Sequence, residues 1–367
     1  MQNNRILHLY SLYPYQKKKL GKKKNYKKIL SNLRQNNYPW VFYLKKYFKN
    51  FKTFPVLYGD ENICKLFLKS KGLKIQNFSH DIYFKQLIKI YDPKIIFFNT
   101  SFQLIKFLKL KKNYHNIKIL VWDGSNSLNK KTQKKVDGII TNSNTFFRNY
   151  RNVNKNIFFL QHGIEKKKLW NSKKKYNLTF VGGISNKYHF NRVIFLYNIY
   201  QQYNINCWFG DIPSRKKIFL LTIYYFFFKG PFESFEYLIA ITFLLKKNNG
   251  AIFGDKMLKV FSQSKIVINN HIDIVDDASN MRLFEVTGAG SCLLTDDKKN
   301  LNQLFKKNVD ILVYKNFKDA LEKIKFYLNP SNSSKLNKIA KNGLLKVRKK
   351  HSIHARMKRL EKFFLKF

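Results

Sequence analysis

The sequence predicts an α/β protein made of two parallel-sheet domains, and three observations predict it. Short apolar runs recur along the chain, bounded by Gly, Pro, Asn or Asp and separated by helix-length segments, which is the pattern of strands alternating with helices. The alternation breaks at a polar, lysine-rich stretch reaching Lys175 and then begins again. At 367 residues the chain is long enough to bury a core on each side of that break.

In chain order, Arg5 to Tyr10 reads as a first strand and Asn25 to Gln35 as a helix. Asp92-Pro93 introduces a strand from Lys94 to Asn99, followed by strands at Ile117 to Asp123, Gly138 to Asn142 and Asn156 to Gln161. After the break, Leu178 to Val181 is a strand ending on Gly182-Gly183, and a helix covers His189 to Tyr203. Further strands fall at Asn206 to Gly210, Lys265 to Asn270, Ser291 to Thr295 and Asp310 to Tyr314. Helices span Phe317 to Leu328, stopped by Asn329-Pro330, then a segment to about Lys350, then Ile353 to about Leu365. The domains expected are 1–170, 171–350 with an apolar insertion at about 211–260, and a C-terminal helix at 351–367 that can pack back on the first domain.

The formal charge of +50 resembles a nucleic-acid binder's, but its make-up argues otherwise. Only ten of the 71 basic residues are Arg, and the lysines spread from end to end in runs such as Lys17-Lys18-Lys19, Lys22-Lys23-Lys24 and Lys173-Lys174-Lys175. Nucleic-acid readers concentrate Arg on one face within a recognisable module. Attraction to anionic surfaces is the expectation, with no specific nucleic acid as partner. Cys64, Cys207 and Cys292 fit neither metal nor disulfide spacing, and a reducing cytoplasm is expected. Met1 to Tyr10 lacks the layout of a signal peptide. The apolar runs Ile218 to Phe228 and Leu238 to Leu245 are each shorter than a membrane span of about 20 residues and are separated by Lys229, Glu233 and Glu236. A pair of core helices and a membrane-surface pair both fit them.

The stretch Asn280 to Asp296 carries the chemistry. A short helix brings Arg282 and Glu285 to its start, Gly288 and Gly290 follow, and an apolar strand ends on Asp296. A cation at a helix N-terminus favours an anion, and a carboxylate beside it suits sugar hydroxyls. Being three apart, Arg282 and Glu285 can also simply pair on one helix face. Gly182-Gly183 is either a loop that lets backbone approach a phosphate or a turn needing glycine torsions. Arg192, in the helix that follows, is a fork donor to a diphosphate or a solvated helix residue. Asp277 lies eight residues before Glu285, in an acidic cluster with Asp273 and Asp276 that is otherwise a solvated loop. His271 follows a strand at the end where open α/β sheets bind ligands, and His162 sits at the domain junction; each is a substrate contact or a structural histidine. Asp123, in Trp122-Asp123-Gly124-Ser125, is a base that activates an acceptor or a helix cap.

These residues resemble the group-1 glycosyltransferases, particularly the CgeB-like, spore-maturation-protein branch. The likeness runs from about Leu178 to the C-terminus. It rests on Ser264 to His271, Asn280-x-Arg282-x-Phe284-Glu285, Gly288-x-Gly290, Leu294-Thr295-Asp296, Asn342-Gly343, and His351-Ser352-Ile353 with Arg356. The first domain matches only through Leu160-x-His162-Gly163-Ile164. The resemblance implies two Rossmann-like domains facing across a cleft, the GT-B arrangement, with a nucleotide-sugar donor on the C-terminal domain. It implies that Glu285 holds the ribose and Arg192 the diphosphate, and that Asp277 stands where relatives carry the first glutamate of a Glu-x7-Glu pair. No bound metal and no cofactor are expected, the nucleotide sugar being a co-substrate.

The catalytic candidates are therefore Asp277, His271 and Asp123, and the donor-binding candidates Gly182, Gly183, Arg192, Arg282, Glu285 and Gly288. The expected activity is sugar transfer from a nucleoside diphosphate sugar to a glycan, lipid-linked glycan or protein, in cell-surface polysaccharide or glycoconjugate synthesis. The protein would be cytoplasmic, peripheral at the inner face of the cell membrane. The alternatives are a basic nucleic-acid-binding protein and a glycosyltransferase-like scaffold without catalysis.

Overall fold

The computed structural model describes residues 4–12, 20, 25–35, 39–73, 76–101, 104–124, 128–165, 172–210, 212–274 and 276–367. The lysine runs at 17–19 and 22–24, Ser125 and most of the lysine-rich break (166–171) lie outside the described residues. The chain divides into two compact units, Met1–Gln161 with Ile353–Phe367, and His162–Ser352. The division falls ahead of the expected boundary at 170/171, and the C-terminal helix counts with the first unit.

The first unit runs β1 (Arg5–Ser11), α1 (Tyr26–Gln35), α2 (Pro39–Tyr47), β2 (Lys52–Tyr58), α3 (Glu61–Lys69), α4 (His80–Tyr91), β3 (Ile95–Phe98), α5 (Leu104–Leu110), β4 (Lys118–Trp122), α6 (Lys130–Lys135), β5 (Gly138–Thr141), α7 (Asn144–Arg151) and β6 (Ile157–Phe159). Its six strands are ordered β2-β1-β3-β4-β5-β6 and pair in parallel. Strand β2 escapes prediction because Pro55 interrupts its apolar run, and the sheet accommodates it by placing β2 at the edge. The last helix of the chain, Ile353–Phe364, buries Met357, Leu360, Phe363 and Phe364 in one core with Ile6, Phe97, Leu120 and Ile140 of the strands. Gly138 makes room for it: a Cβ there would stand 3.0 Å from the Phe367 ring and 2.7 Å from Leu120. Glu361, on the same helix, accepts from the backbone N–H of Lys49 and Asn50 at 2.6 and 2.7 Å.

The second unit runs β7 (Tyr176–Gly182), α8 (Phe190–Gln202), β8 (Ile205–Phe209), α9 (Arg215–Lys229), α10 (Pro231–Lys246), α11 (Gly254–Ser262), β9 (Ser264–Asn269), α12 (Arg282–Gly288), β10 (Cys292–Asp296), α13 (Leu301–Leu304), β11 (Leu312–Tyr314), α14 (Phe317–Leu328) and α15 (Ser333–Lys350), with Ile353–Phe364 of the first unit then numbered α16. Its five parallel strands are ordered β8-β7-β9-β10-β11. The strands are apolar on both faces because helices cover both, and two apolar clusters flank the sheet. Gly343 lies inside α15, where a Cβ would collide with the Asp310 carbonyl and meet Thr287 of α12 at 3.2 Å. The glycine therefore lets α15 close on α12, the helix that carries Arg282 and Glu285. The predicted strands and helices of this half all stand, with α11 and the short α13 as added elements.

Candidate functional site

In the second sheet, β7 lies between β8 and β9, so the winding reverses between β7 and β9. Helices leave the two strand ends towards opposite faces at such a point, which opens a crevice at the carboxyl edge. Gly182-Gly183 and Asn270-His271 stand at that edge. Arg192, on α8, reaches across it: Nη1 donates to the Gly183 carbonyl at 2.8 Å and Nη2 to the Asn270 carbonyl at 2.6 Å. Its side chain is 7% exposed, and its Nε is buried with no partner. Burial lowers its pKa to about 10, against the opposing pull of Asp296 and Asp273, so it remains a cation at neutral pH. Arg192 is thus a buried brace rather than a solvated helix residue. The two glycines have no positive φ; what they supply is space. A Cβ on Gly182 would stand 2.8 Å from the Phe180 ring, and one on Gly183 would stand 3.3 Å from His189.

A polar lattice ties the strand ends together. Asn269 donates to Thr295 at 2.9 Å and accepts from Asn280 at 2.6 Å, while the Tyr314 hydroxyl donates to the Asn269 carbonyl at 3.2 Å. His271 donates its backbone N–H to Asp296 Oδ1 at 3.1 Å, and its Nδ1 lies 2.7 Å from the same oxygen. That contact makes Nδ1 the protonated nitrogen and leaves Nε2, buried and without a partner, as the chemically open atom. Burial alone would raise the Asp296 pKa, but His271 and Lys298, the latter at 3.6 Å, hold it below the ordinary value.

Arg282 and Glu285 form the ion pair their spacing predicts. The guanidinium also fixes α12 to the end of β7, through an Nε donation to the Val181 carbonyl at 2.9 Å. Both side chains keep partial exposure, 24% for Arg282 and 13% for Glu285. The helix start is less open than expected, because the Asn280 side chain caps the Arg282 N–H at 2.9 Å. Gly288 does not serve ligand approach: a Cβ there would stand 2.8 Å from Ile164, so its smallness is used in packing. Gly290 is the turn residue, with φ +79°. Beneath this turn lies Lys174, whose Nζ donates to the carbonyls of Ser262 and Gly290 at 3.0 and 3.2 Å and to the Ser291 hydroxyl at 3.1 Å. Burial lowers its pKa to about 8. No local signal separates it from its neighbours in a run of three lysines.

The acids of the 273–277 cluster disperse. Asp273 accepts from the Asn191 N–H at 3.4 Å, and burial raises its pKa. Asp276 pairs with exposed Lys299 at 3.1 Å. Asp277 is 4% exposed, in a loop held by Asn300, which accepts from the Ala278 N–H at 2.6 Å. The solvated-loop alternative therefore fails for Asp277. Among the described residues no three His, Cys, Asp or Glu side chains converge as a metal set. An open depression of about 350 Å³ is lined by Asp276, Asp297, Lys298, Lys299 and Lys307, beside the end of β10 rather than at the crevice. Two of its lysines are paired with its two acids and the third, Lys298, with Asp296, so the charged groups at the β7/β9 edge locate the site better.

Asp123 belongs to the first unit and is 2% exposed. Its Oδ2 accepts from the Leu128 N–H at 3.1 Å and from the Tyr150 hydroxyl at 2.5 Å. These bonds are what the structural alternative, a helix cap or turn, calls for. His162, the first residue of the second unit, is 9% exposed. The structure thus brings Gly183, Arg192, His271, Arg282 and Glu285 to one strand edge, while Gly288 packs apart from it.

Residues 231–362 match the family model described as "Glycosyl transferase-like". Solved structures align over nearly the whole chain. A glycosyltransferase from Rickettsia africae is 12% identical with a TM-score of 0.58, covering 99% of this chain and 98% of its own. A sucrose-phosphate synthase from Thermosynechococcus elongatus is 11% identical with a TM-score of 0.62 over 99% and 98%. Anabaena HepE, solved with UDP and glucose, is 9% identical with a TM-score of 0.61 over 99% and 100%. No curated protein sequence matches. At these identities the structures show the fold: two Rossmann-like units of the GT-B class. The family match adds that its C-terminal part is glycosyltransferase-like in sequence.

Proposed function

We propose that this protein is a glycosyltransferase that draws its sugar from a nucleoside diphosphate donor held by the second unit. The observation that carries the reading is the charged group at the β7/β9 edge, where Arg192, the Arg282–Glu285 pair and the His271–Asp296 pair surround one crevice. Glu285 accepts from the ribose hydroxyls. Arg282, partly exposed, faces the diphosphate, and Arg192 holds the crevice open while adding positive charge behind it. Two guanidinium groups offset the charge of the leaving diphosphate, so the reaction needs no bound metal and no cofactor. His271 Nε2 and Asp277 serve the transferred sugar. HepE has been solved with UDP and with UDP-glucose, which makes a UDP-sugar the first donor to try. The motif order from Ser264 to Arg356 favours the CgeB-like branch. The acceptor is a glycan, a lipid-linked glycan or a protein, and the lysine-rich surface favours work beside anionic lipid or polyanionic glycan in the cytoplasm.

Thermal-shift titration with a panel of nucleotide sugars tests this. At least one should stabilise the fold saturably. Glu285→Ala should weaken that ligand by about tenfold or more, and Glu285→Gln by less, because it keeps an acceptor oxygen. Stabilisation by heparin alone would replace this reading with polyanion binding. Donor binding without turnover on any acceptor would make the protein a scaffold.

A further inference from the structure

Helices α9 and α10 form a hairpin across Gly230 whose two faces are both apolar. One face belongs to the core: Ile218, Leu221 and Tyr225 of α9 and Tyr237, Ala240 and Leu244 of α10 join the same buried cluster. The opposite face is open. Phe219, Phe226, Phe227 and Phe228 of α9 are 64, 51, 77 and 70% exposed, and Phe232 and Phe235 of α10 are 87 and 64% exposed. Exposed Leu220, Ile223 and Ile239 extend the patch along both helices. A surface helix ordinarily turns charged residues outward, so this face is built for a partner less polar than water. No helix among the described residues is long and apolar enough to cross a membrane, so the hairpin does not span one.

Charge selects the partner. Arg215, Lys216 and Lys217 open the hairpin, exposed Lys229 precedes its turn, and Lys246 with Lys247 closes it, against two acids, Glu233 and Glu236. A second copy of this chain would bring the same cationic patch against itself across a two-fold interface, in a protein already carrying +50. An anionic lipid surface meets both features at once, with acyl chains taking the phenylalanines and headgroups taking the lysines. We infer that the α9–α10 hairpin lies in the plane of an anionic membrane and inserts its outward phenylalanine face at the headgroup boundary. The inference stands apart from the donor chemistry, since it rests on the outward phenylalanines; the hairpin's ties to the loop after β7 run through other residues, Lys217 to the Ser185 hydroxyl at 3.4 Å and Tyr225 to the Lys187 carbonyl at 3.0 Å.

The test uses the full chain with vesicles of phosphatidylcholine, with and without phosphatidylglycerol, at physiological salt. Wild type should sediment with the anionic vesicles. Phe227→Ser/Phe232→Ser should bind at least about tenfold more weakly while keeping its unfolding temperature and any nucleotide-induced shift. Vesicle binding equal to wild type would overturn the inference, because lysines alone would then account for it. So would a wild-type dimer, seen by sedimentation equilibrium, that the double variant dissociates without any vesicle binding.

Discussion

The two sheets are wound alike, β2-β1-β3-β4-β5 in the first unit and β8-β7-β9-β10-β11 in the second, and yet their carboxyl edges differ. At the reversal point of the first sheet, the Ser11 N–H donates to the Asn99 side chain at 3.0 Å, a neutral tie between the ends of β1 and β3. At the same point of the second sheet a buried guanidinium spans the two strand ends. The aspartates at the strand ends diverge in the same way. Asp123 accepts from the Leu128 N–H, whereas Asp296 is turned to a histidine whose other nitrogen is open. Topology offers a crevice twice, and the two differ in the charge set at the edge.

The largest effect that sharpens this comparison lies in the first unit. His8, on β1, is 1% exposed, stacks on Phe97 with ring centroids 5.0 Å apart, and has no partner for either nitrogen. Burial lowers its pKa from 6.5 to about 3. The unfolded chain therefore binds this proton first as pH falls. The stability tied to neutral His8 is complete above about pH 6.5 and drains away as pH drops towards 3. Wild type should lose about 3 kcal/mol from this group between about pH 7 and pH 4 in urea titrations. His8→Phe should flatten that slope; an unchanged slope would show that His8 is not the buried neutral group described.

Next in size is the brace. Arg192→Met leaves the carbonyls of Gly183 and Asn270 without their donor and should cost about 2 kcal/mol of stability. It should also abolish the thermal shift caused by a nucleotide sugar. Arg192→Lys keeps a cation but has a single donor group, so it should recover charge without recovering the two-pronged geometry. If the Met variant held both stability and ligand binding, the distinction drawn between the two edges would collapse.

Much of this was legible in the sequence because parallel strands covered on both faces are plain apolar runs. Strand β2 was hidden by Pro55, whose edge position no local pattern discloses. The Arg282–Glu285 pair was legible because helical spacing settles it. The partners of Arg192 and Lys174 were not, since Asn270 lies 78 residues from Arg192 and Ser291 lies 117 from Lys174. Such contacts exist only once strand order has brought distant segments to one edge. The glycines show the same limit from the other side. Gly182, Gly183 and Gly288 read as places for a ligand or a turn, but a Cβ at each one would meet a neighbouring side chain. The hairpin was the hardest to read, because a helix apolar all round has no periodicity to say which face is buried.

The smallest expected effect compares the two strand-end aspartates directly. Asp123→Asn weakens the acceptor of two hydrogen bonds and should lower stability by about 1 kcal/mol, leaving nucleotide affinity where it was. Asp296→Asn should cost at least as much in stability, because it loses the charge that pairs with His271 and Lys298, and it should also act on the site, because an amide can present either its oxygen or its N–H to the His271 ring. The folded-state pKa of Asp296 lies below its ordinary value, so its stabilising contribution is present above the unfolded carboxylate range and is lost as pH falls through the depressed value. Thermal melts of the two variants at neutral pH and near pH 3, each with and without a nucleotide sugar, separate the roles. Ligand affinity should change in Asp296→Asn alone, together with a shallower acid slope. Equal ligand effects in both variants would mean that the first unit's strand edge also takes part in donor binding, and that charge does not distinguish the two.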